Sequence, residues 1–226
     1  MAATPLKNLP LIPSKSPNLL IAPVEYSQQY QDQLINALRL YFAQLDNYTQ
    51  SMTADTGGKY LRFPNIAAGD TTNQYATGNN TPTIVRWNTE FTSEGFTLNS
   101  NSTATATYSG TYKITYSLQL ANNENAQIDA IVWLRVNGVD VPASATIFTL
   151  PQRKSAGVSS YVCGYSEVVF YLEAGDNVGL WWGTPTAATS GGGLGVYIVY
   201  QAAQTSPMAY PSVPSSLGSI TFVSAA

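Results

Sequence analysis

Three carboxylates in the second half of the chain, Glu167, Glu173 and Asp176, lie close together in sequence and are candidates for acid–base chemistry. A pair of carboxylates can cleave a glycosidic bond. The chain has no histidine, which removes Ser-His-Asp triads, imidazole bases and His-ligated zinc. However, Gly175-Asp176 is typical of a turn and Glu167 falls in an alternating strand. We therefore expect no catalytic residue and no enzymatic activity.

Sites for metals and phosphates have equally weak sequence signals. Calcium prefers oxygen ligands, and Asp129, Asp140 and Asp176 are candidates, but no Asp-rich loop brings them together. The run Gly191-Gly192-Gly193 lacks the Lys-Ser/Thr of a phosphate loop, so it predicts only a flexible loop. We expect no metal and no cofactor.

Trp181-Trp182 and Cys163 are further candidates for chemistry. The indoles could stack on a sugar, as in a lectin, but adjacent strand residues face opposite sides of a sheet. Core or subunit-interface packing is therefore the favoured interpretation. Cys163 is the only cysteine and cannot form an intrachain disulfide; its strand setting predicts a buried structural thiol.

The composition excludes several classes of partner. Only 10% of the residues are charged, against about 25% in a typical soluble domain. Ten basic and thirteen acidic residues give a net charge of −3, so no basic stripe is available for nucleic acid. Apolar residues reach 44%, which predicts a folded chain. No run of 18 apolar residues predicts a membrane span, and prolines interrupt any secretory signal, so we expect synthesis in a host cytoplasm.

Residues 1–23 are rich in proline, which predicts an extended arm. Its apolar side chains favour docking on another surface as an anchor, and a loose tail is the alternative. The candidate anchoring residues are Leu9, Leu11, Ile12, Leu19, Leu20 and Ile21.

Residues 24–52 have the apolar periodicity of a helix, with steps of three and four that form an a/d seam. The flanking positions carry Gln and Asn rather than charges, which favours a self-associating helix over one that packs on its own domain. The candidate oligomerisation residues are Leu34, Ile35, Leu38, Tyr41, Phe42, Leu45 and Met52.

The rest of the chain is predicted to be mainly β. We expect a linker at 53–81, a jelly-roll domain at 82–203 and an extended tail at 204–226 with one more possible strand at Ser219–Val223. Alternation is clear over residues 112–120, and Asn137-Gly138 is a strong hairpin signal. Eight or so antiparallel strands predict a jelly-roll sandwich.

Three segments of this region resemble the C1q/TNF-like jelly-roll family. They are Gly110-Thr111-Tyr112 with the alternating strand that follows, Val132 to the Asn137-Gly138 hairpin, and Leu172-Glu173-Ala174-Gly175-Asp176-Asn177-Val178. The glycine run at 191–193 stands in for the family's Phe-x-Gly ending. The whole layout of arm, helix and jelly roll resembles trimeric head-decoration and fibre proteins of tailed bacteriophages.

This resemblance implies a homotrimer with the jelly rolls around one axis and the helices in a trimeric bundle. The residues assigned to the core or the trimer axis are Tyr112, Ile114, Tyr116, Leu118, Trp133, Leu172, Val178, Leu180 and Tyr197. Tyrosines suited to an aromatic-rich axis are Tyr108, Tyr112, Tyr116, Tyr161, Tyr165 and Tyr171.

Three functions follow as hypotheses. The first is a non-enzymatic virion protein on the outer surface of the head, a decoration or cement protein or a short head fibre, bound to the major capsid protein or another virion component. The second is a tail fibre or tip that recognises host glycans through the loops near 122–125 and 184–193. The third is an extracellular C1q/TNF-like ligand.

Overall fold

The computed structural model describes residues 17–19, 25–53, 63–190 and 193–224, with the backbone alone at 48 and 50–53. The chain divides into two compact units. Helix α1, Gln28–Thr53, belongs to one, and the strands belong to the other.

Helix α1 begins at Gln28, four residues after the predicted start, because Ser27 caps it. The Ser27 hydroxyl accepts a hydrogen bond from the Tyr30 amide at 3.4 Å, and the Ser27 carbonyl accepts one from Gln31. A serine side chain in this position satisfies an amide that has no partner within the helix.

Within the described residues, the β unit has thirteen strands. They are β1 (Asn65–Asp70), β2 (Thr83–Ile84), β3 (Thr89–Glu94), β4 (Phe96–Leu98), β5 (Ala104–Ala106), β6 (Gly110–Asn122), β7 (Ile128–Val136), β8 (Val139–Asp140), β9 (Thr146–Leu150), β10 (Ser160–Leu172), β11 (Asn177–Gly183), β12 (Val196–Ile198) and β13 (Ser216–Ser224).

The strands form two antiparallel sheets. Sheet A has the order β10-β6-β13-β1-β3, with β12 also beside β6; sheet B has the order β4-β5-β11-β7-β8, with β2 beside β11 and β9 beside β7. The central four strands are β1-β13-β6-β10 in one sheet and β5-β11-β7-β9 in the other. The chain crosses repeatedly between the two sheets as it forms these strands. This order is that of a jelly roll, so the predicted antiparallel jelly-roll sandwich is confirmed.

The sandwich is longer than the predicted jelly-roll range. Strand β1 lies in the predicted linker, and β13 lies in the predicted tail. Both are central in sheet A, where they pair from Asn65↔Thr221 to Asp70↔Ser216. Strand β13 also pairs along most of β6. The possible strand at Ser219–Val223 is therefore present, and it is a longer strand, Ser216–Ser224, that is integral to sheet A.

The core lies between the two sheets and follows the period-two alternation. On β6 the even-numbered side chains point inward, and on β11 the inward residues are Val178, Leu180 and Trp182. Tyr112 packs edge-on against Phe96 and Phe222, with ring centroids 5.2 and 5.6 Å apart. Of the assigned core or axis residues, those that are fully buried here are Tyr112, Ile114, Tyr116, Leu118, Leu172, Val178 and Leu180.

Gln74 is buried and joins segments that are distant in sequence. Its Nε2 donates to the hydroxyls of Ser215 and Ser216 and to the Arg86 carbonyl, and its Oε1 accepts from the Arg86 amide at 2.7 Å. The Gln74 backbone also exchanges two hydrogen bonds with Ile198. This side chain therefore fixes the start of β13 against the loop that precedes β2.

Gln74→Ala is expected to lower the free energy of unfolding by about 1–3 kcal/mol, because it leaves the Arg86 amide without its acceptor and removes one hydrogen bond from each of the Ser215 and Ser216 hydroxyls, which keep their bonds to Asp70 and Arg86. Gln119→Ala removes a half-buried amide whose described side-chain contact is a long one to Cys163. It should lower the free energy of unfolding by less than about 0.5 kcal/mol. Urea denaturation measures both. Equal losses would contradict the role given to Gln74.

The Tyr112 hydroxyl gives the fold a dependence on alkaline pH. It donates to the Tyr108 carbonyl at 2.8 Å. Burial, and secondly the Tyr108 side chain, raises the pKa of Tyr112 from 10.0 to about 12. The fold favours the protonated phenol, so this contribution to stability is complete below pH 10 and is lost as the pH rises towards 12.

We expect the free energy of unfolding to fall between pH 10 and 12, and to fall less steeply in Tyr112→Phe. The exposed Tyr165→Phe is the control and should keep the wild-type slope. Chemical denaturation at several pH values measures the three slopes. An unchanged slope in Tyr112→Phe would assign the alkaline loss to other groups.

Candidate interaction surfaces

The candidate catalytic carboxylates have structural partners. Glu167 lies on the exposed face of β10, 3.6 Å from the Lys113 ammonium. Asp176 holds the turn before β11: its Oδ1 accepts from Asn137 Nδ2 at 2.7 Å, and its Oδ2 accepts from the Glu173 amide at 2.8 Å. These contacts give each of the two carboxylates a role in sheet or turn structure.

The candidate calcium ligands Asp129 and Asp140 lie far apart. Asp129 is near the start of β7, where Thr149 donates to it. Asp140 pairs with Arg135 near the end of the same strand. Six residues of strand separate the two positions, about 20 Å, so they cannot share an ion. Among the described residues, no group of three or more His, Cys, Asp or Glu side chains is placed to hold a metal.

The outer face of sheet A carries exposed aromatic and aliphatic side chains. We call it the tyrosine face; on β10 its members are Tyr161, Cys163, Tyr165, Glu167, Val169 and Tyr171. Tyr165 and Val169 are each 59% exposed and Tyr171 is 49% exposed. Tyr161, Tyr165 and Tyr171 are thus placed where another chain could contact them, whereas Tyr112 and Tyr116 point into the core.

The tyrosine face continues across the sheet. Tyr165, Leu217 and Phe91 surround a shallow depression of about 330 Å³, with β6 and β1 at its floor. Leu217 and Phe91 are 39% and 57% exposed. Small residues form the floor, and a Cβ at Gly69 would lie 2.7 Å from the Ser216 carbonyl oxygen. Exposed apolar side chains therefore lie on β10, β13 and β3, whereas β6 between them presents Lys113, Thr115, Ser117 and Gln119.

Cys163 is exposed on this face, so the prediction of a buried thiol is wrong. The odd-numbered residues of β10, which include Cys163, lie on the outer face of the sheet. The even-numbered residues, which include the neighbouring buried Gly164, lie on the inner face.

Helix α1 also presents apolar side chains to solvent. Ile35, Phe42 and Leu45 of the predicted seam are all at least 37% exposed, and Leu40 is 66% exposed. Leu34, Leu38 and Tyr41 are half-buried, and the Tyr41 and Phe42 rings lie 5.7 Å apart. Met52 is part of α1 by its backbone. Several apolar side chains of the helix are therefore exposed to solvent.

The predicted anchoring arm is described only in part. Leu19 is exposed. The other candidate anchoring residues, Leu9, Leu11, Ile12, Leu20 and Ile21, lie outside the described residues, as do Gly191 and Gly192.

The two loops predicted to recognise glycans meet at one end of the sandwich. Asn123 Nδ2 donates to the Gly193 carbonyl at 2.9 Å, and the Gly195 amide donates to Asn123 Oδ1 at 2.6 Å. Nearby, Tyr197 is half-buried and stacks on Tyr75 with ring centroids 5.6 Å apart. Tyr197, which the sequence assigned to the core or the trimer axis, is therefore not among the fully buried residues of the single chain.

Trp133, which was also assigned to the core or the trimer axis, lies half-buried on the outer face of sheet B, opposite Trp181. Its indole Nε1 donates to Asp140 at 2.6 Å, and Arg135 Nε contacts the same carboxylate oxygen at 2.5 Å. The hydrogen bond from Arg135, and secondly the one from Trp133, hold the pKa of Asp140 below its usual value. The Arg135 guanidinium lies 4.3 Å above the Trp181 ring centroid. We call these four side chains the arginine–tryptophan cluster.

Sequence reasoning missed this cluster and the contributions of Phe91 and Leu217 to the tyrosine face. The alternation of β7 could have placed Trp133 and Arg135 on one face, since they are two residues apart. The predicted Asn137-Gly138 hairpin could have placed Asp140 opposite Arg135, but no short-range pattern could have placed Trp181 beside them.

The strand order defines an antiparallel jelly-roll protein. No protein-family model matches the chain, and no curated protein matches it. Among solved structures, the chain is similar to one titled "Structure of Eiger TNF from S. frugiperda", with 12% identity and a TM-score of 0.45 over 73% of this chain and 94% of that chain. In the described part of the chain, no helix combines the length and the apolar character needed to cross a membrane.

Proposed function

We propose that this chain is a non-enzymatic structural protein that assembles as a homotrimer through the tyrosine face and the apolar seam of α1. The exposed tyrosine face carries the proposal. Its exposed aromatic side chains are Tyr161, Tyr165, Tyr171 and Phe91, and aromatic side chains dominate the energetics of protein interfaces. The low charge of the chain supports the same role.

Helix α1 supports self-association independently. Ile35, Phe42 and Leu45 follow heptad spacing and are exposed in the single chain. A coiled-coil seam buries such positions against a second helix. The resemblance of the layout to phage proteins supports three copies rather than two.

We further propose that the trimer is part of a tailed-phage virion, on the outer surface of the head as a decoration, cement or short fibre protein. The Pro-rich arm is the proposed contact with the major capsid protein or another virion component. The resemblance of the arm, helix and jelly roll to phage head-decoration and fibre proteins supports this location.

Sedimentation equilibrium of the full chain at micromolar concentration tests the assembly. The expected mass is three times 24.2 kDa. A mass of 24.2 kDa would refute self-association, and a dimer would refute the trimer.

Immunogold labelling of intact particles tests the location. Labels around the head support the decoration role, labels at the tail tip favour the receptor-binding alternative, and detection only outside particles rejects both. Deletion of residues 1–23 is expected to leave the trimer intact and to abolish incorporation into particles.

A further inference from the structure

A second depression lies on the outer face of sheet B, with a volume of about 370 Å³. It is lined by Asn101, Thr103, Arg135, Asn177, Gly179 and Trp181, among others. Its volume is within the usual range of ligand pockets, about 300–1,000 Å³. Asn177 opens β11 whereas the loop at 184–193 follows its other end, so the depression is at the opposite end of the sandwich from the loops predicted to bind glycans.

Arg135 is held in place at the edge of this depression. Its guanidinium stacks on Trp181 and its Nε is bonded to Asp140, and the side chain is only 20% exposed. The two Nη groups make no hydrogen bond to the described residues. A guanidinium that is fixed by stacking and one ion pair offers its remaining donors in a defined direction at little cost in entropy.

Further polar groups around the depression are also free of hydrogen bonds within the described part of the chain. They are the Asn101 side-chain amide nitrogen, the carboxamide of Asn177 and the Trp181 indole nitrogen. Asn101 Oδ1 is oriented by the Thr103 hydroxyl, which donates to it at 2.6 Å. The depression therefore presents several donors, with the side-chain oxygens of Asn101 and Asn177 as acceptors, in a small space.

Gly179 keeps the floor of the depression open. A Cβ at this position would lie 3.1 Å from Thr103 Cγ2 and 3.3 Å from Ile84 Cδ1. Arg135 and Gly179 are opposite each other in the β7–β11 register. The missing side chain at 179 thus creates the space beside the guanidinium.

The charges around the depression determine the class of ligand. Asp140 offsets the charge of Arg135, and Asp176 adds a second carboxylate that is bonded to Asn137 at 2.7 Å. With one cation and two carboxylates, the groups around the depression carry a net negative charge. This charge disfavours a ligand that bears a phosphate or a carboxylate group. Hydroxyl groups both donate and accept, so a neutral polyhydroxylated molecule matches amides, an indole N–H and a neutralised guanidinium.

We propose that this depression is a binding site for a neutral saccharide, contacted by Arg135, Asn101, Asn177 and Trp181. The site lies on sheet B and stays open when the tyrosine face of sheet A is covered by self-association. The two proposals therefore fail independently: a monomeric chain could still bind sugar, and a trimer could fail to bind it.

Saturation-transfer NMR on the full chain tests the site, with the methyl glycosides of glucose, galactose, mannose and N-acetylglucosamine as neutral probes. Glucuronate and inorganic phosphate are the anionic probes. We expect at least one neutral glycoside to bind at millimolar concentration. Arg135→Gln should weaken binding about tenfold because it removes charged donors, and Gly179→Val should abolish it by filling the depression.

Gly183→Val is the matched control on the same strand, because a Cβ there would be 3.7 Å from its nearest neighbours, the Thr81 carbonyl oxygen and the Trp133 ring, and lies outside the depression; it should bind as wild type does. If Gly179→Val does not fold, Arg135→Gln still decides, since its side chain is outside the core. The proposal is overturned if no neutral glycoside binds, if only the anionic probes bind, or if Arg135→Gln binds as tightly as the wild type.

Discussion

Tyr165→Asp is expected to convert the assembly into monomers and to raise its dissociation constant about 1,000-fold or more. Tyr165 lies at the centre of β10 and borders the depression of the tyrosine face. In a trimer about one axis, the substitution would bring three like charges into an apolar contact. An unpaired charge buried in an interface costs several kcal/mol, and 1.4 kcal/mol corresponds to a factor of ten in affinity.

The same substitution on the other sheet is the control. Ile147 lies on β9 in sheet B and is 63% exposed, close to the 59% of Tyr165. Ile147→Asp should therefore remain trimeric, and Tyr165→Phe, which keeps the ring, should remain trimeric as well. Sedimentation velocity separates the species, and circular dichroism checks that each variant folds. If Ile147→Asp dissociates the trimer and Tyr165→Asp does not, the interface lies on sheet B and not on the tyrosine face.

The alternation of strand β6 made the fold class predictable. Residues 112–120 alternate over a full strand, and Asn137-Gly138 has the positive φ angles, 52° and 81°, that its hairpin requires. Such patterns are local, so a single sequence displays them.

Strand β1 was missed because its sequence, Asn-Ile-Ala-Ala-Gly-Asp, has residues that are depleted in strands. It is a strand because β13 and β3 pair with it on both sides. Contacts across about 150 residues decide its conformation, and a local reading of composition cannot detect them. The same contacts turn the predicted tail into a central strand.

The surfaces were predictable only in part because alternation does not reveal which parity faces inward. Strands β6 and β10 both carry tyrosines at alternate positions, yet those of β6 at 112 and 116 are buried whereas Tyr161 and Tyr165 of β10 are exposed. The pairing register places Ser166 opposite Tyr116, which puts the even residues of both strands on the inner face. The arginine–tryptophan cluster needs the register of three strands, β7, β8 and β11, and no spacing within one segment encodes it.

Trp181 and Trp182 are adjacent on one strand and face opposite sides of the sheet, so the same substitution should change the free energy of unfolding by different amounts at the two positions. Trp182 is fully buried between the sheets, so Trp182→Ala is expected to lower the free energy of unfolding by about 3–5 kcal/mol through lost burial and a large cavity. Trp181 is half-buried on the outer face, where its contact with Arg135 contributes about 0.5–1 kcal/mol. Trp181→Ala should therefore cost about 1–2 kcal/mol.

Urea denaturation of the two variants measures this difference, and the comparison is matched because the residues are neighbours on one strand and the substitution is the same. Two further readouts separate the roles of the indoles. Trp181→Ala should change the binding of neutral glycosides while leaving most of the stability intact, since it removes a wall of the sheet B depression. Trp182→Ala should weaken folding without a specific loss of affinity in the folded fraction. Equal stability losses in the two variants would contradict the inward assignment of Trp182, and with it the register that pairs β11 with β7.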